Sequence, residues 1–370
     1  MLIHALADPL RTAIAFAVVL GVLVFVHELG HYLAARWLGV HVEVFSIGFG
    51  RAIASWSDRR GTTWKLGWLP LGGFVRLHGM ERETDLTPEG RATRLQGRAF
   101  ADKRVGARAV VIAAGPLANF LLAALLFTVL NVAVGRAVST STIGQVVPDS
   151  AAASAGLQVG DSIVALDGTK IANFEDVKRI VSARPGQPIT IDLMRNGAPL
   201  TVHATPGSQV SDGKTVGILG IVNRTEFKPV GVLDGLYYGV VQTWTVTRET
   251  VVGVWQMISG QRGAGELGGV IRIAQMSGQV AQLGVASLLS FIAVLSINLG
   301  LINLFPVPVL DGGHLVFYAA EAVRGRPIPT RAQEYSYRAG LAVILSLVVF
   351  SAWNDLAHLG VVRWVAGLIG

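Results

Sequence analysis

The chain has 370 residues, of which 51% are hydrophobic and only 15% are charged, a composition that excludes an ordinary soluble protein and indicates a membrane protein with a soluble part. It contains no cysteine, so disulfides and cysteine-ligated metal sites are excluded, and any metal must be bound by histidine and carboxylate side chains. The net charge of +7 more often reflects membrane topology than nucleic-acid binding in such a protein, and we expect no nucleic-acid partner.

The first predicted element is a membrane-spanning helix from about Thr12 to Trp37, which contains the sequence His27-Glu28-Leu29-Gly30-His31. An ionisable residue inside such a segment usually marks a functional site, and Glu28 is the only formally charged side chain between Thr12 and Ala35. HExxH on a helix places two histidines one turn apart on one face, where they can bind Zn²⁺, with the glutamate beside them as general base. No small-residue cleavage site follows the run, so we interpret it as a retained helix rather than a signal peptide.

Three further segments are long and apolar enough to span a membrane: between residues 108 and 136, at about 285–305, and from after 338 to 353. The loop 36–108 contains 13 Lys/Arg against 7 Asp/Glu, and four arginines lie in the short loop before the fourth span. The positive-inside rule therefore predicts that both loops are cytoplasmic and that the termini and the region from about 136 to 280 are not.

A small domain is predicted in this extracytoplasmic region, with strands at 142–147, 163–166, 189–193, 200–204 and 216–222 and one helix capped by Asn173. Together with the motif Ala-x-x-Ala-Gly-Leu-x-x-Gly-Asp at 152–161, this pattern resembles a bacterial PDZ domain. PDZ domains bind an extended peptide between a strand and a helix. The predicted groove residues are Ile143, Val146, Val177 and Ile180. The alternative is a domain that only blocks access to bulky substrates.

A helical stretch from about Leu233 to Gln261 follows this domain. Trp244, Val251 and Trp255 fall near one of its faces, which is typical of an amphipathic helix at the membrane interface. The charged residues at 234, 248 and 249 argue against a fifth span.

A third metal ligand must come from another segment, because a catalytic zinc normally has three protein ligands and one open position. The best candidate is Asp311, which follows 38 uncharged residues at the end of the third span. Pro306 and Pro308 break the helix before it, and the glycines 312–313 permit unusual backbone angles. The first and third spans both run inward, so we expect Asp311 at the depth of the two histidines. His314 is the competing ligand.

HExxH in the first span, Asn-x-x-Pro-x-Pro-x-Leu-Asp-Gly after the third and an intervening PDZ domain together resemble the site-2 protease family of intramembrane zinc metalloproteases, closest to the bacterial PDZ-containing enzymes that cleave anti-sigma factors. Gly115–Asn119 and Gly268–Ile271 also resemble family features. The best-known members of this subgroup carry two tandem PDZ domains, and this chain has room for one.

The resemblance implies a polytopic α-helical membrane protein with about four transmembrane helices, a membrane-associated β-hairpin built from Val44–Gly50 and Trp64–Gly79, and one inserted α+β PDZ domain. It places the protein in the bacterial inner membrane, with the PDZ domain in the periplasm and the active site towards the cytoplasmic side. The predicted regions are a first membrane region at 1–136, the PDZ domain at 137–226, an interfacial helical region at 227–272 and a second membrane region at 273–370.

The implied reaction is hydrolysis of peptide bonds in the transmembrane segments of single-span substrates, such as anti-sigma factors or remnant signal peptides, in regulated intramembrane proteolysis. Glu28 would act as the base, and the zinc ion would be bound by His27, His31 and Asp311. The lipid bilayer is an implied partner, as is a peptide at the PDZ groove. The residues that we expect to hold the unwound substrate are Asn303, Pro306, Gly48, Gly72 and Gly73.

Two other classes of protein use similar residues. A metal-binding membrane transporter would distribute polar residues along several spans, whereas here they cluster at one level. A catalytically inactive PDZ scaffold would not need Glu28, which this chain retains.

Overall fold

The computed structural model describes residues 2–80, 95, 97–211, 214–261, 263 and 268–358. Residues 81–94, which the sequence assigns to the basic cytoplasmic loop, lie outside the described residues. The chain divides into two compact units. We call Met1–Val129 with Leu236–Gly370 the membrane unit, and Leu130–Gly235 the insertion unit.

The described residues form nine α-helices and ten strands. In chain order the helices are α1 (Leu2–Trp37), α2 (Val105–Ala133), α3 (Ala151–Ser154), α4 (Phe174–Ser182), α5 (Val232–Ile258), α6 (Val270–Gln282), α7 (Val285–Leu304), α8 (Asp311–Arg324) and α9 (Thr330–His358). The strands are β1 (Val42–Ser57), β2 (Thr63–Leu77), β3 (Arg136–Val146), β4 (Ser162–Leu166), β5 (Thr169–Lys170), β6 (Ile189–Arg195), β7 (Ala198–Ala204), β8 (Gly207–Ser211), β9 (Lys214–Ile218) and β10 (Ile221–Lys228).

Four of the described helices are long and apolar enough to cross a membrane: Pro9–Trp37, Val105–Ala133, Val285–Leu304 and Thr330–Asp355. They confirm the four predicted spans and identify a polytopic membrane protein. The fourth helix starts at Thr330, before the predicted start of the span after residue 338. Charged residues end an apolar span, but they do not end a helix that continues into water. An ion pair between Arg338 and Glu334 at 2.7 Å, one turn apart, supports this extension.

Helix α5 is not among these candidate spans. It lies against α2 and α7: a Cβ on Gly239 would overlap Thr128 of α2, and Thr250 donates a hydrogen bond to Asn298 of α7 at 3.3 Å. The opposite face leaves Trp244 exposed, with 68% of its surface accessible. An interfacial location of this helix stays a prediction.

The predicted β-hairpin is present, but each of its strands bends and pairs twice. Phe45 lies opposite both Val75 and Trp64, so the segments line up in the order 52–57, 63–67, 42–47 and 73–77. The bend in β1 occurs at Gly48, whose φ of +82° favours glycine. The prediction ends the first strand at Gly50, whereas β1 continues to Ser57. Residues 52–57 pair with 63–67 of β2, a pairing that forms only in the folded hairpin.

In the insertion unit, five strands form a sheet in the order β10-β3-β4-β6-β7, with β5 paired to β4. Helix α4 packs on this sheet through a core that includes Val177 and Ile191. The predicted cap is confirmed, since the Asn173 side chain accepts a hydrogen bond from the backbone N–H of Asp176 at 3.2 Å. The predicted last strand is wrong in one respect: it is split into β9 and β10 at Gly220, whose φ is +78°.

One ion pair of the insertion unit yields a pH-dependent prediction. Arg195 donates two hydrogen bonds to the buried Asp161 carboxylate, at 2.8 and 2.7 Å, and holds the pKa of Asp161 below its usual value. We expect Asp161→Asn to lower the midpoint of thermal unfolding of this unit by about 5 °C at pH 7. Because the folded-state pKa is depressed, this stabilisation is present above the unfolded pKa of about 3.9 and is lost as the pH falls through the folded value. Circular dichroism should show the gap between wild type and variant closing below about pH 4; a gap that stays constant would contradict the prediction.

Candidate metalloprotease site

The two histidines of the HExxH sequence lie one turn apart on one face of α1, and both are buried. Their Nε2 atoms are 3.3 Å apart. Asp311, the first residue of α8, brings its Oδ2 to 3.2 Å from His27 Nε2 and 3.5 Å from His31 Nε2. Among the described residues these three side chains are the only converging His, Asp or Glu group, with the donor atoms within 4.8 Å of one another.

Asp311 reaches the histidines because the chain breaks and restarts at this depth. Helix α7 ends at Leu304, since the residue before Pro306 is extended, with φ −61° and ψ 143°. A Cβ on Gly312 would collide with the backbone at the end of α7. Neither glycine after Asp311 has a positive φ, so the pair is needed for close approach rather than for unusual backbone angles, which corrects the sequence interpretation.

The three donor atoms fit one tetrahedral metal ion. Two ligands bound to zinc at about 2.0–2.1 Å with a tetrahedral angle between them lie about 3.3 Å apart. The observed separations are 3.2, 3.3 and 3.5 Å. Two imidazoles and one carboxylate also leave a fourth position for water, which distinguishes catalytic from structural zinc sites. The donor set therefore fits a catalytic zinc ion.

Helix α2 packs closely along the face of α1 that bears the histidines. A Cβ on Gly115 would overlap the His31 ring, and a Cβ on Gly30 would overlap the backbone of Ala114. His31 Nδ1 donates a hydrogen bond to the Val111 carbonyl at 2.9 Å, which leaves its Nε2 free to bind a metal. The small residues of the motif at 115–119 therefore let α2 reach the ring, a purpose that the sequence alone does not reveal.

Asn119 is a residue of the site to which the sequence analysis assigns no role. It lies on α2, is completely buried, and places its amide Nδ2 at 3.1 Å from His27 Nδ1. Its backbone carbonyl accepts a hydrogen bond from Ser296 of α7 at 2.8 Å. The sequence gives no sign of this contact beyond the place of Asn119 in the motif 115–119. Asn119 and His27 lie on two helices that are far apart in the chain.

Glu28 lies between the metal cluster and the hairpin. Its half-buried carboxylate lies near the backbone of Val75. A Cβ on Gly73 would lie 3.2 Å from Glu28 Cγ. Segment 73–77 pairs with 42–47 on one side, and no other strand of the described residues pairs with its other edge.

Of the five predicted substrate-binding residues, the structure brings Gly73 against Glu28. Gly48 is buried against the backbone of β2, and Gly72 lies against the Phe49 ring, so both shape the bends of the hairpin. Asn303 donates a hydrogen bond to the Leu299 carbonyl of its own helix at 3.1 Å. Pro306 is exposed just beyond the end of α7.

His314, the competing third ligand, is not part of the converging group. It lines a separate cavity of about 130 Å³, together with Arg108 and Glu321, which are joined by an ion pair at 2.7 Å. Its Nδ1 lies 3.3 Å from the hydroxyl of Tyr337. The geometry therefore favours Asp311 over His314 as the third donor.

The predicted peptide groove of the insertion unit is wrong on its strand side. A cavity of about 460 Å³ opens beside α4 and is lined by Val177, but its opposite wall is 216–221 rather than Ile143 and Val146. The reason is that β10 pairs with β3 and covers the edge that the prediction leaves open: Val146 pairs with the start of β10, and Ile143 is fully buried. Ile180 packs against the hydrophobic core of the unit.

Two buried histidines on a helix that can cross a membrane, an aspartate that follows another such helix, and an adjacent glutamate define the class of a membrane zinc metalloprotease. The chain belongs to peptidase family M50, the site-2 protease family, since the model for "Peptidase family M50" matches residues 15–347.

The chain is similar in sequence to named bacterial proteins over nearly their full length. A candidate zinc metalloprotease of Rhizobium meliloti is 44% identical, with 95% of this chain and 98% of the relative covered. Metalloprotease MmpA of Caulobacter vibrioides is 37% identical, with 95% and 96% covered. Zinc metalloprotease RasP of Geobacillus kaustophilus is 33% identical, with 95% and 99% covered. The protein is therefore a zinc metalloprotease of this membrane family.

Proposed function

We propose that this protein hydrolyses peptide bonds inside the transmembrane segments of single-span proteins, in regulated intramembrane proteolysis. The observation that carries the proposal is the location of the metal cluster. His27 and His31 lie within a candidate span, and Asp311 follows shortly after another. A metal cluster at this depth can act on peptide bonds inside the membrane, which soluble proteases do not reach. Anti-sigma factors and remnant signal peptides are the substrates that we propose.

In the proposed mechanism His27, His31 and Asp311 hold the zinc ion. When bound, zinc lowers the pKa of water towards neutrality and polarises the scissile carbonyl. Glu28 takes the proton of the attacking water and then delivers it to the leaving amine.

The substrate must be unwound first, because the carbonyls of a transmembrane helix are bonded within the helix. We propose that the extended segment pairs with the edge of 73–77 that no other strand of the described residues occupies, as in strand addition. Gly73 supports this proposal because it lets the strand lie close to the catalytic helix: a Cβ there would collide with Val24 of α1 and lie 3.2 Å from Glu28 Cγ. Asn303 would exchange its bond to the Leu299 carbonyl for a bond to the substrate backbone, beside the helix end at Pro306.

We propose that residues 137–226 form a PDZ domain. Its short strands around one capped helix and the motif at 152–161 support this assignment. A peptide would lie in the cavity between Val177 and segment 216–221, which replaces the groove expected from the sequence. The alternative role, exclusion of substrates with bulky extracytoplasmic domains, needs no peptide binding.

We propose that the protein lies in the bacterial inner membrane with the PDZ domain in the periplasm and the metal cluster towards the cytoplasm. The excess of Lys and Arg in the loop 36–108 supports this orientation, as do the four arginines from the end of α8 to the first turns of α9, at 324, 326, 331 and 338. Four spans also bring both termini to the same side, as this topology requires.

Cysteine labelling tests the topology. The chain has no cysteine, so a single introduced thiol has no background. In intact cells we expect a membrane-impermeant thiol reagent to label Asn196→Cys and to leave Arg59→Cys and Arg326→Cys unlabelled until the cells are opened. Arg59 and Arg326 are exposed in the structure, so protection would come from the membrane and not from burial. Labelling of Arg59→Cys in intact cells would reject the proposed orientation.

The proposed function is tested by reconstitution of the purified protein with a single-span substrate in liposomes. Mass spectrometry should find the cut inside the apolar segment of the substrate, and a zinc chelator should stop the reaction. A transporter or an inactive scaffold, the alternatives that the sequence raises, would leave the substrate intact. Cuts confined to the soluble parts of the substrate would contradict an intramembrane site.

A further inference from the structure

Asn119 is a buried polar side chain that the proposed mechanism does not use. It is 0% exposed, and its amide lies 3.1 Å from His27 Nδ1. Its Oδ1 has no hydrogen-bond partner within the described residues. A buried polar atom without a partner is unfavourable and rare, so its presence beside a metal-ligand candidate calls for a specific reason.

The chemistry of the His27 ring decides which amide atom should face it. His27 Nε2 is the atom that converges with Asp311 and His31, so it must be free of a proton to bind zinc. A neutral imidazole carries its one proton on the other nitrogen, so Nδ1 is a donor and needs an acceptor. The amide nitrogen is only a donor, whereas Oδ1 is an acceptor. The two exchange places when the amide turns by half a rotation.

We propose that Asn119 is a positioning residue for the zinc site: its Oδ1 accepts the Nδ1–H of His27, which fixes the tautomer and the plane of that ring. This inference rests on the proposed role of His27 as a zinc ligand. The Val111 carbonyl makes the same kind of contact to His31 Nδ1, at 2.9 Å. Helix α2 therefore orients both imidazoles through two acceptors, one from a side chain and one from the backbone.

The backbone of Asn119 is itself held by the helix that leads towards the third ligand. Ser296 of α7 donates to the Asn119 carbonyl at 2.8 Å, and Gly300 of the same helix lets α2 approach, since a Cβ there would lie 3.1 Å from the Pro116 carbonyl. Because α7 ends shortly before Asp311, α2 contacts both the helix that carries the histidines and the helix that leads to the aspartate. Asn119 thus links the positions of ligands from different parts of the chain.

The alternative is that Asn119 only joins two helices by an ordinary interhelical hydrogen bond. Such a bond would affect the stability of the bundle but not the intrinsic affinity for zinc. Partners that orient a metal-bound histidine behave differently, because their removal typically weakens metal binding about 10–100-fold. Zinc affinity therefore separates the two roles.

The experiment compares the dissociation constant for zinc in purified full-length variants, measured by competition with a chelator. We expect Asn119→Leu, which has a similar volume and no acceptor, to bind zinc about 10–100-fold more weakly than wild type. Asn119→Asp, which keeps an acceptor at the same position, should retain most of the affinity. The matched control is Asn131→Leu, because Asn131 lies on the same helix, is 7% exposed and has an Nδ2 without a partner in the described residues. It should bind zinc like wild type even if the protein is less stable.

A wild-type dissociation constant in Asn119→Leu would overturn the proposal, and so would a loss of affinity in Asn119→Asp as large as in the leucine variant. If Asn119→Leu does not fold, ¹⁵N NMR of histidine-labelled wild type remains decisive: a protonated Nδ1 in His27 supports the proposal, and a protonated Nε2 overturns it. His31→Ala in the same assay separates the two levels of the argument. Unchanged zinc affinity in His31→Ala would reject the ligand assignment, whereas its loss beside an unaffected Asn119→Leu would reject only the role of Asn119.

Discussion

Glu28→Gln is expected to abolish cleavage of a single-span substrate while zinc stays bound at one ion per chain. The substitution keeps the size of the side chain and all three proposed metal ligands, but the amide cannot accept the proton of the attacking water. Loss of a general base typically slows a reaction about 10²–10⁴-fold. Initial rates of cleavage in liposomes, with the zinc content measured by atomic absorption on the same samples, check both parts of the prediction.

The matched control for this change is Glu249→Gln. Glu249 is exposed on α5, so the same chemical substitution should leave both rate and zinc content unchanged. Turnover near the wild-type rate in Glu28→Gln would reject Glu28 as the base. Loss of zinc in Glu28→Gln would show instead that this residue contributes to metal binding.

Removal of a metal ligand is the second large effect. We expect His27→Ala, His31→Ala and Asp311→Ala each to reduce bound zinc well below one ion per chain and to abolish cleavage. The three donor atoms lie within 4.8 Å of one another, and two remaining ligands do not retain zinc against the competing water. Zinc content after dialysis against a weak chelator, and the rate before and after added zinc, measure the effect.

His314→Ala is the control for the aspartate variant. His314 lies one turn after Asp311 but lines a different cavity, so its loss should leave zinc bound. If Asp311→Ala keeps its zinc and activity and His314→Ala loses both, the third ligand is His314. The converse result supports the ligand set that the geometry favours.

The sequence by itself determined the class of this protein. HExxH in an apolar helix needs only the helical repeat to bring two histidines to one face, and the lengths of the apolar runs predict the four spans. The Asn173 cap is confirmed for the same reason, since its partner lies three residues away. These features depend on local geometry, which a short stretch of sequence specifies.

The tertiary structure decided the features that join distant segments. The second pairing of the hairpin, the cavity wall at 216–221 and the contact of Asn119 with His27 all connect residues that no local periodicity relates. Gly312 is likewise required because the backbone at Leu304 and Phe305 passes too close for a Cβ, and not because its own φ is positive. Contacts of this kind are set by how helices and strands fill space against one another, so packing rather than residue pattern determined what surrounds the metal cluster.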